Sequence, residues 1–296
     1  MTNFRVTNNN QNTSSVKKYL KYSTIALSSV ALGYLYGINT FEKRSYKTNF
    51  SKLQIIDELK NFCQELTLKT KQNHAFKALD INPSNSNKYI IFCNGMFTTM
   101  DSKNQKIYAE LLKTKRGVIA FDYPGRGEST TNFSQKNAQQ SLESVHNYLV
   151  QKGIKQENTG IVAHSMGCAV AGEFAAKNNI NFLVLLSPYN KAKDLVKNFV
   201  ERSQLPQIIK LVVKNMPTCL IPLKYTFNNE KYLRKANCPI MIIASKDDKT
   251  VPINLTKKLK EIIQNKNLTY KEFLTGGHEI NKEKIDESIK YIQNIL

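Results

Sequence analysis

Five short apolar runs recur along this chain with helical stretches between them: "YIIFC" (89–93), "GVIAFD" (117–122), "GIVA" (160–163), "FLVLL" (182–186) and "PIMIIA" (239–244). Runs this uniformly apolar read as strands covered on both faces. Strands that alternate with helices imply a doubly wound, mostly parallel α/β sheet. Ahead of them "QELTLKT" and "HAFKALDI" alternate with period two around a polar turn, which predicts a hairpin. A helix is expected before that hairpin, over residues 50–63.

The connecting helices have readable ends. Residues 134–153 carry Ser134 as an N-cap, Leu142, Val145 and Leu149 on one face, and Gly153 as a stop. The alternation breaks at residues 189–237, where "DLVKNFV" and "LPQIIKLVVKNM" have helical spacing. This stretch is expected to be a small helical cap inserted over the carboxyl edge of the sheet, where ligands bind in such folds.

A chain of 296 residues suits one catalytic domain, expected over 51–296, with an appendage before it. The leader, 1–21, is polar and Asn-rich and predicts no packed structure. Residues 22–41 hold no charge, lie between basic residues, and are about long enough for one bilayer span. They read as an N-terminal hydrophobic helix and membrane anchor; a signal segment cleaved near "ALG" (31–33) and a soluble apolar helix are the competing readings.

The formal charge of +20 raises nucleic acid as a partner, but the lysines are spread along the chain and the longest basic run is "KTKR" (113–116). Nucleic acid is therefore not expected. A basic surface of this kind favours anionic membranes or acidic substrates. The cysteines, Cys63, Cys93, Cys168, Cys219 and Cys238, have no metal-binding or redox spacing and read as free thiols in a reduced compartment.

Chemistry enters at "IVAHSMGCAV" (161–170). An apolar strand ends at Ala163, a helix opens after Ser165, and the residues two before and two after the serine, Ala163 and Gly167, are small. A strand-to-helix turn this sharp needs small neighbours for strand and helix to approach. It would aim the Ser165 hydroxyl outward and set the N–H of Met166 where an oxyanion would form.

Such a serine needs a base downstream. Of the histidines, His74 lies in the hairpin, His146 on a helix ahead of the serine, and His164 beside it, where strand geometry is expected to point it away. His278, in "FLTGGHEI", follows a strand-like run and precedes the last helix. The imidazole then needs a carboxylate, and Asp247 and Asp248 both leave the end of a strand in "PIMIIASKDDKTVPI". The chain order is Ser, Asp, His.

With that order and those contexts, residues 65–296 resemble the α/β-hydrolase superfamily. "FCNGMFTT" is similar to its oxyanion segment, with Asn94 in place of the usual histidine, Gly95 following, and the N–H of Met96 implied as second oxyanion donor beside Met166. "FDYPGRGEST" looks like the loop after its fourth strand, where Asp122 and Arg126 are expected to be structural. "AHSMG" resembles its nucleophile elbow, with Ala163 for the first glycine, and "GGHE" its histidine loop. "DDKTVP" matches its acid motif when Asp248 is the acid. The resemblance implies a catalytic set of Ser165, Asp248 and His278, supported by Asn94, Gly95, Ala163, His164 and Gly167. No metal or cofactor is implied. It also implies cleavage of an ester or thioester of an acyl or lipid-like substrate through an acyl-enzyme, as in small membrane-tethered members. A peptidase, a small-molecule esterase and a non-catalytic binding protein are the alternatives on the same fold.

Overall fold

In the apolar strands, successive side chains leave the sheet on opposite faces. Tyr89, Ile91 and Cys93 join one buried cluster and Ile90 and Phe92 another, so both faces must be covered. The computed structural model describes residue 33 and residues 52–96, 98–129, 131–217, 223, 225–263 and 267–295. Its strands are β1 (Cys63–Lys69), β2 (Ala75–Ile81), β3 (Tyr89–Cys93), β4 (Gly117–Phe121), β5 (Thr159–His164), β6 (Leu183–Leu186), β7 (Ile240–Ser245) and β8 (Leu268–Phe273). They form one sheet of 8 strands in the order β1-β2-β4-β3-β5-β6-β7-β8. β2 runs antiparallel to β1 and β4, and the remaining pairs are parallel.

The helices are α1 (Ser102–Leu111), α2 (Gln135–Gln151), α3 (Met166–Ala175), α4 (Ala192–Arg202), α5 (Gln207–Asn215), α6 (Asn229–Leu233), α7 (Ile253–Ile262) and α8 (Lys282–Gln293). α1 and α8 cover one face of the sheet through Tyr108, Leu111, Ile285, Ile289 and Ile292. α2, α3 and α7 cover the other through Leu142, Val145, Val170, Leu255 and their neighbours. Each fully buried aliphatic or aromatic side chain contributes about 1.5–3 kcal/mol, and this two-sided burial is what makes the central strands so apolar. Side-chain caps start the helices at Asp101, Ser134 and Asn281.

Cys93 pairs with Ala163 across the parallel β3–β5 register. The segment after β3 and the turn after β5 therefore leave the sheet side by side, at the point where the strand order reverses.

Two compact units are distinguished. The larger comprises Glu42–Leu195 and Tyr225–Leu296 and contains the whole sheet. In the smaller, which includes Val196–Lys224, Val200, Val213 and Met216 form a separate apolar cluster. Lys197 Nζ ties it by donating to the carbonyls of Lys214 and Met216 at 3.1 and 2.7 Å. The stretch Val196–Lys224 lies within the range 189–237 expected for the insertion.

Residues 52–62 are not the expected helix but coil and turns. The N–H groups of Leu59, Lys60 and Phe62 make turn bonds to the carbonyls of Ile56, Asp57 and Leu59, and the backbone before them bonds elsewhere in the chain. Leu53 N–H donates to Glu128 Oε1, Ile56 N–H donates to Gln105 Oε1, and the Gln54 carbonyl accepts from Gln105 Nε2. Those partners replace the i to i−4 bonds a helix would need. The leader and the stretch 22–41 lie outside the described residues, Gly33 apart. Among the described residues no helix is long and apolar enough to cross a membrane.

Candidate active site

Ser165 stands between β5 and α3 with φ 52° and ψ −117°, a backbone conformation costly for any residue with a Cβ. Packing over-determines it. Its N–H donates to the Leu186 carbonyl at 2.9 Å, carrying the β5–β6 pairing one residue beyond the strand. A Cβ at Gly167 would lie 2.3 Å from the Cys93 carbonyl oxygen and 2.5 Å from that of Asn94, so only glycine lets α3 approach the end of β3. Met166 is the first residue of α3, and its N–H has no intrahelical acceptor.

Ser165 Oγ lies 3.0 Å from His278 Nε2, and His278 Nδ1 lies 2.8 Å from Asp248 Oδ2. A carboxylate only accepts, so Nδ1 carries the proton and Nε2 accepts from the serine hydroxyl. The other oxygen of Asp248 accepts from the N–H groups of Thr250 and Val251, both at 2.8 Å. Burial alone would raise this carboxyl. The hydrogen bond from His278, with those from the two backbone N–H groups, outweighs burial and holds it below the ordinary carboxylate range.

Asp247 meets the backbone of the same loop rather than the ring. Its oxygens accept from Gly277 N–H at 2.8 Å and Gly276 N–H at 3.3 Å.

The segment after β3 abuts the serine. A Cβ at Gly95 would be 3.1 Å from His164 Nδ1 and 3.6 Å from Ser165 Cβ. Asn94 is buried, and its amide does not face the serine: Nδ2 donates to the Phe121 carbonyl at 3.2 Å and Oδ1 accepts from Tyr108 at 3.1 Å. It fastens the segment to β4 and α1. Met96 is partly buried against the core, and Ala163 is buried within β5. Asp122 holds the same segment from the other end, accepting from Met100 N–H at 2.8 Å. Burial raises the Asp122 carboxyl to about 7, against that hydrogen bond.

His164 corrects an expectation. It does not point away: its ring centroid is 4.8 Å from that of His278, and its Nε2 is 2.9 Å from the His278 carbonyl oxygen. The sharp turn after β5 brings the histidine loop over the strand end, so the residue before the serine meets that loop. Lys284 escaped the sequence reading, although a signal was present. It falls on the buried stripe of α8 with Ile285, Ser288, Ile289 and Ile292, in a first turn where the helix dipole disfavours a cation. Among the described residues no group of three His, Cys, Asp or Glu could hold a metal ion.

A family model described as the alpha/beta hydrolase fold matches residues 88–224. An uncharacterized protein, R595, of Acanthamoeba polyphaga mimivirus is 27% identical over 83% of this chain and 85% of its own length. The lysophosphatidylserine lipase ABHD12 of Danio rerio is 22% identical over 70% of this chain and 53% of its own. Among solved structures, the Pyrococcus furiosus esterase Pf2001 superposes with a TM-score of 0.66 at 19% identity, over 83% of this chain and 97% of that one.

Proposed function

Because the chain belongs to the α/β-hydrolase superfamily, we propose that it is a serine hydrolase that cleaves carboxylic esters or thioesters of acyl, lipid-like substrates through an acyl-enzyme. The observation that carries this reading is the unbroken line of hydrogen bonds from Ser165 through His278 to Asp248, beginning at a strained turn.

Ser165 Oγ attacks the acyl carbonyl as His278 Nε2 takes its proton, and the imidazolium that forms is stabilised by Asp248. The oxyanion is received by the N–H groups of Met166 and Met96. His278 then returns the proton to the leaving alcohol or thiol. Water repeats the sequence on the acyl-enzyme and releases the acid. No step needs a metal or a cofactor. A lipid-like acyl group is favoured by the likeness to a lipase and by the charge of +20, which attracts anionic head groups. The reading extends to membrane attachment through residues 22–41, on the sequence alone.

The test is a fluorophosphonate probe with p-nitrophenyl esters from C2 to C16, beside a peptide substrate. Ser165→Ala is expected to lose labelling and to lower kcat by at least about a thousandfold while the protein stays folded. Labelling of the alanine variant at the wild-type rate would sink the assignment. Turnover of the peptide alone would move the protein to the peptidases, and an unreactive wild type to the binding proteins.

A further inference from the structure

His278 sits on the loop between β8 and α8, which has no strand or helix ladder to hold it. Three successive carbonyls of this loop accept from side chains. Lys284 Nζ donates to Gly277 O at 2.7 Å and to Glu279 O at 2.8 Å, and His164 Nε2 donates to His278 O between them at 2.9 Å. A carbonyl only accepts, so His164 must carry its proton on Nε2.

Both donors are unusual residues to bury. Lys284 has 0% exposure, and its two hydrogen bonds go to carbonyls and to no carboxylate. A buried ammonium is costly unless its hydrogen bonds repay the lost hydration. Burial, followed by the nearby His278, lowers the His164 imidazole to about 4, so at neutral pH it is uncharged and has a single N–H to give. That one N–H goes to the main chain of His278.

His164 and Ser165 are consecutive, and both bond to His278: the serine through its hydroxyl to Nε2, the histidine through its ring to the carbonyl. The strand end that delivers the serine thus grips the base at two points, ring and backbone. We propose that His164, together with Lys284, is a positioning residue that keeps His278 in register with Ser165 during turnover. The inference rests on the reading of His278 as the proton relay of Ser165. A displacement of about 1 Å between reacting groups can cost a hundredfold in rate, so loss of either donor should be read in kcat.

The test uses the full chain with p-nitrophenyl butyrate and the fluorophosphonate probe. His164→Leu removes the donor at similar size, and His164→Gln restores an N–H near the position of Nε2. His164→Leu is expected to lower kcat and the labelling rate by about 10–100-fold with KM within about twofold, and His164→Gln to recover most of that loss. Lys284→Met should repeat the kcat loss. It stands in for His164→Leu if the leucine variant does not fold. Each variant's melting temperature is measured, and activity is read well below it. Wild-type kcat in His164→Leu or Lys284→Met overturns the proposal, as does a folded His164→Gln no better than leucine. If Ser165→Ala keeps its activity, the serine-hydrolase reading has failed. If Ser165→Ala is inactive while the His164 and Lys284 variants are unaffected, only the positioning role has failed.

Discussion

The serine and the histidine of the site are held in different ways. Ser165 is placed by packing: β5, α3 and the end of β3 meet so closely that a single Cβ at Gly167 would collide with two backbone oxygens. His278 is placed by polar contacts, from Asp248 on its ring and from His164, Lys284 and Asp247 on the main chain of its loop. A packed turn relaxes little when its neighbours change, whereas a loop held by side-chain hydrogen bonds depends on each partner separately. The two halves should therefore fail differently under substitution.

The largest expected effect separates two neighbours on the histidine side. Asp248→Asn should lower kcat/KM by about three to four orders of magnitude, because the ring loses the partner that fixes its tautomer and stabilises its charge. Asp247→Asn keeps the shape but weakens the acceptor for Gly276 and Gly277, and should lose about tenfold or less. Equal losses would erase the distinction between holding the ring and holding the loop.

Next comes a pair of glycines. Gly167→Ala forces contact with backbone that cannot swing aside and should lower stability by about 2–3 kcal/mol, roughly 5–10 °C in Tm. Gly277, with φ 57°, has nothing within 4 Å of where a Cβ would sit. Gly277→Ala should cost only the left-handed backbone penalty of about 1 kcal/mol. Thermal melts of both variants check the ranking, and a larger loss at Gly277 would contradict it.

A pH dependence gives the last test. Burial, with His278, lowers His164 from 6.5 to about 4. Between those values the unfolded chain binds a proton that the folded chain refuses, so stability present above the upper value is lost as pH falls toward the lower. Asp122 works in the opposite sense. Its carboxyl is raised by burial from 3.8 to about 7, so its share is full below the lower value and is lost as pH rises through the upper. Comparison with His164→Gln cancels the share of Asp122, and the flanking Lys284 and Glu279 are common to both proteins. The Tm of the wild type, measured against that variant, should fall between pH 6.5 and 4. A constant difference across that window would mean that His164 does not titrate as its burial dictates.

The same contrast explains what could be read from the chain. The turn at Ser165 was legible because its requirements are local: an apolar run, a small residue on each side of the serine at two positions, and a helix behind it. The parallel strands were legible because burial on both faces leaves almost no polar residue in β3, β5 or β7. The loop supports were not, because His164 and His278 O come from residues 114 apart in sequence, and local spacing carries no trace of that contact. The helix expected over 50–63 is absent from the described residues 52–62 for the same reason: the spacing is amphipathic, but Gln105 and Glu128 claim the backbone of Leu53, Gln54 and Ile56 from a distance.

The sheet ends in two edges, β1 and β8, each bonded within the described residues to one neighbouring strand. A strand edge is a template on which another chain can extend a sheet. Here β1 carries Glu65 in an ion pair with Lys77, and β8 carries Glu272 between Lys246 and Lys257, with Lys271 beside Glu287. A second copy docking edge to edge would have to draw water away from these charges. The charged flanks thus guard the sheet against growing by strand addition, a protection the buried parallel strands receive from their neighbours.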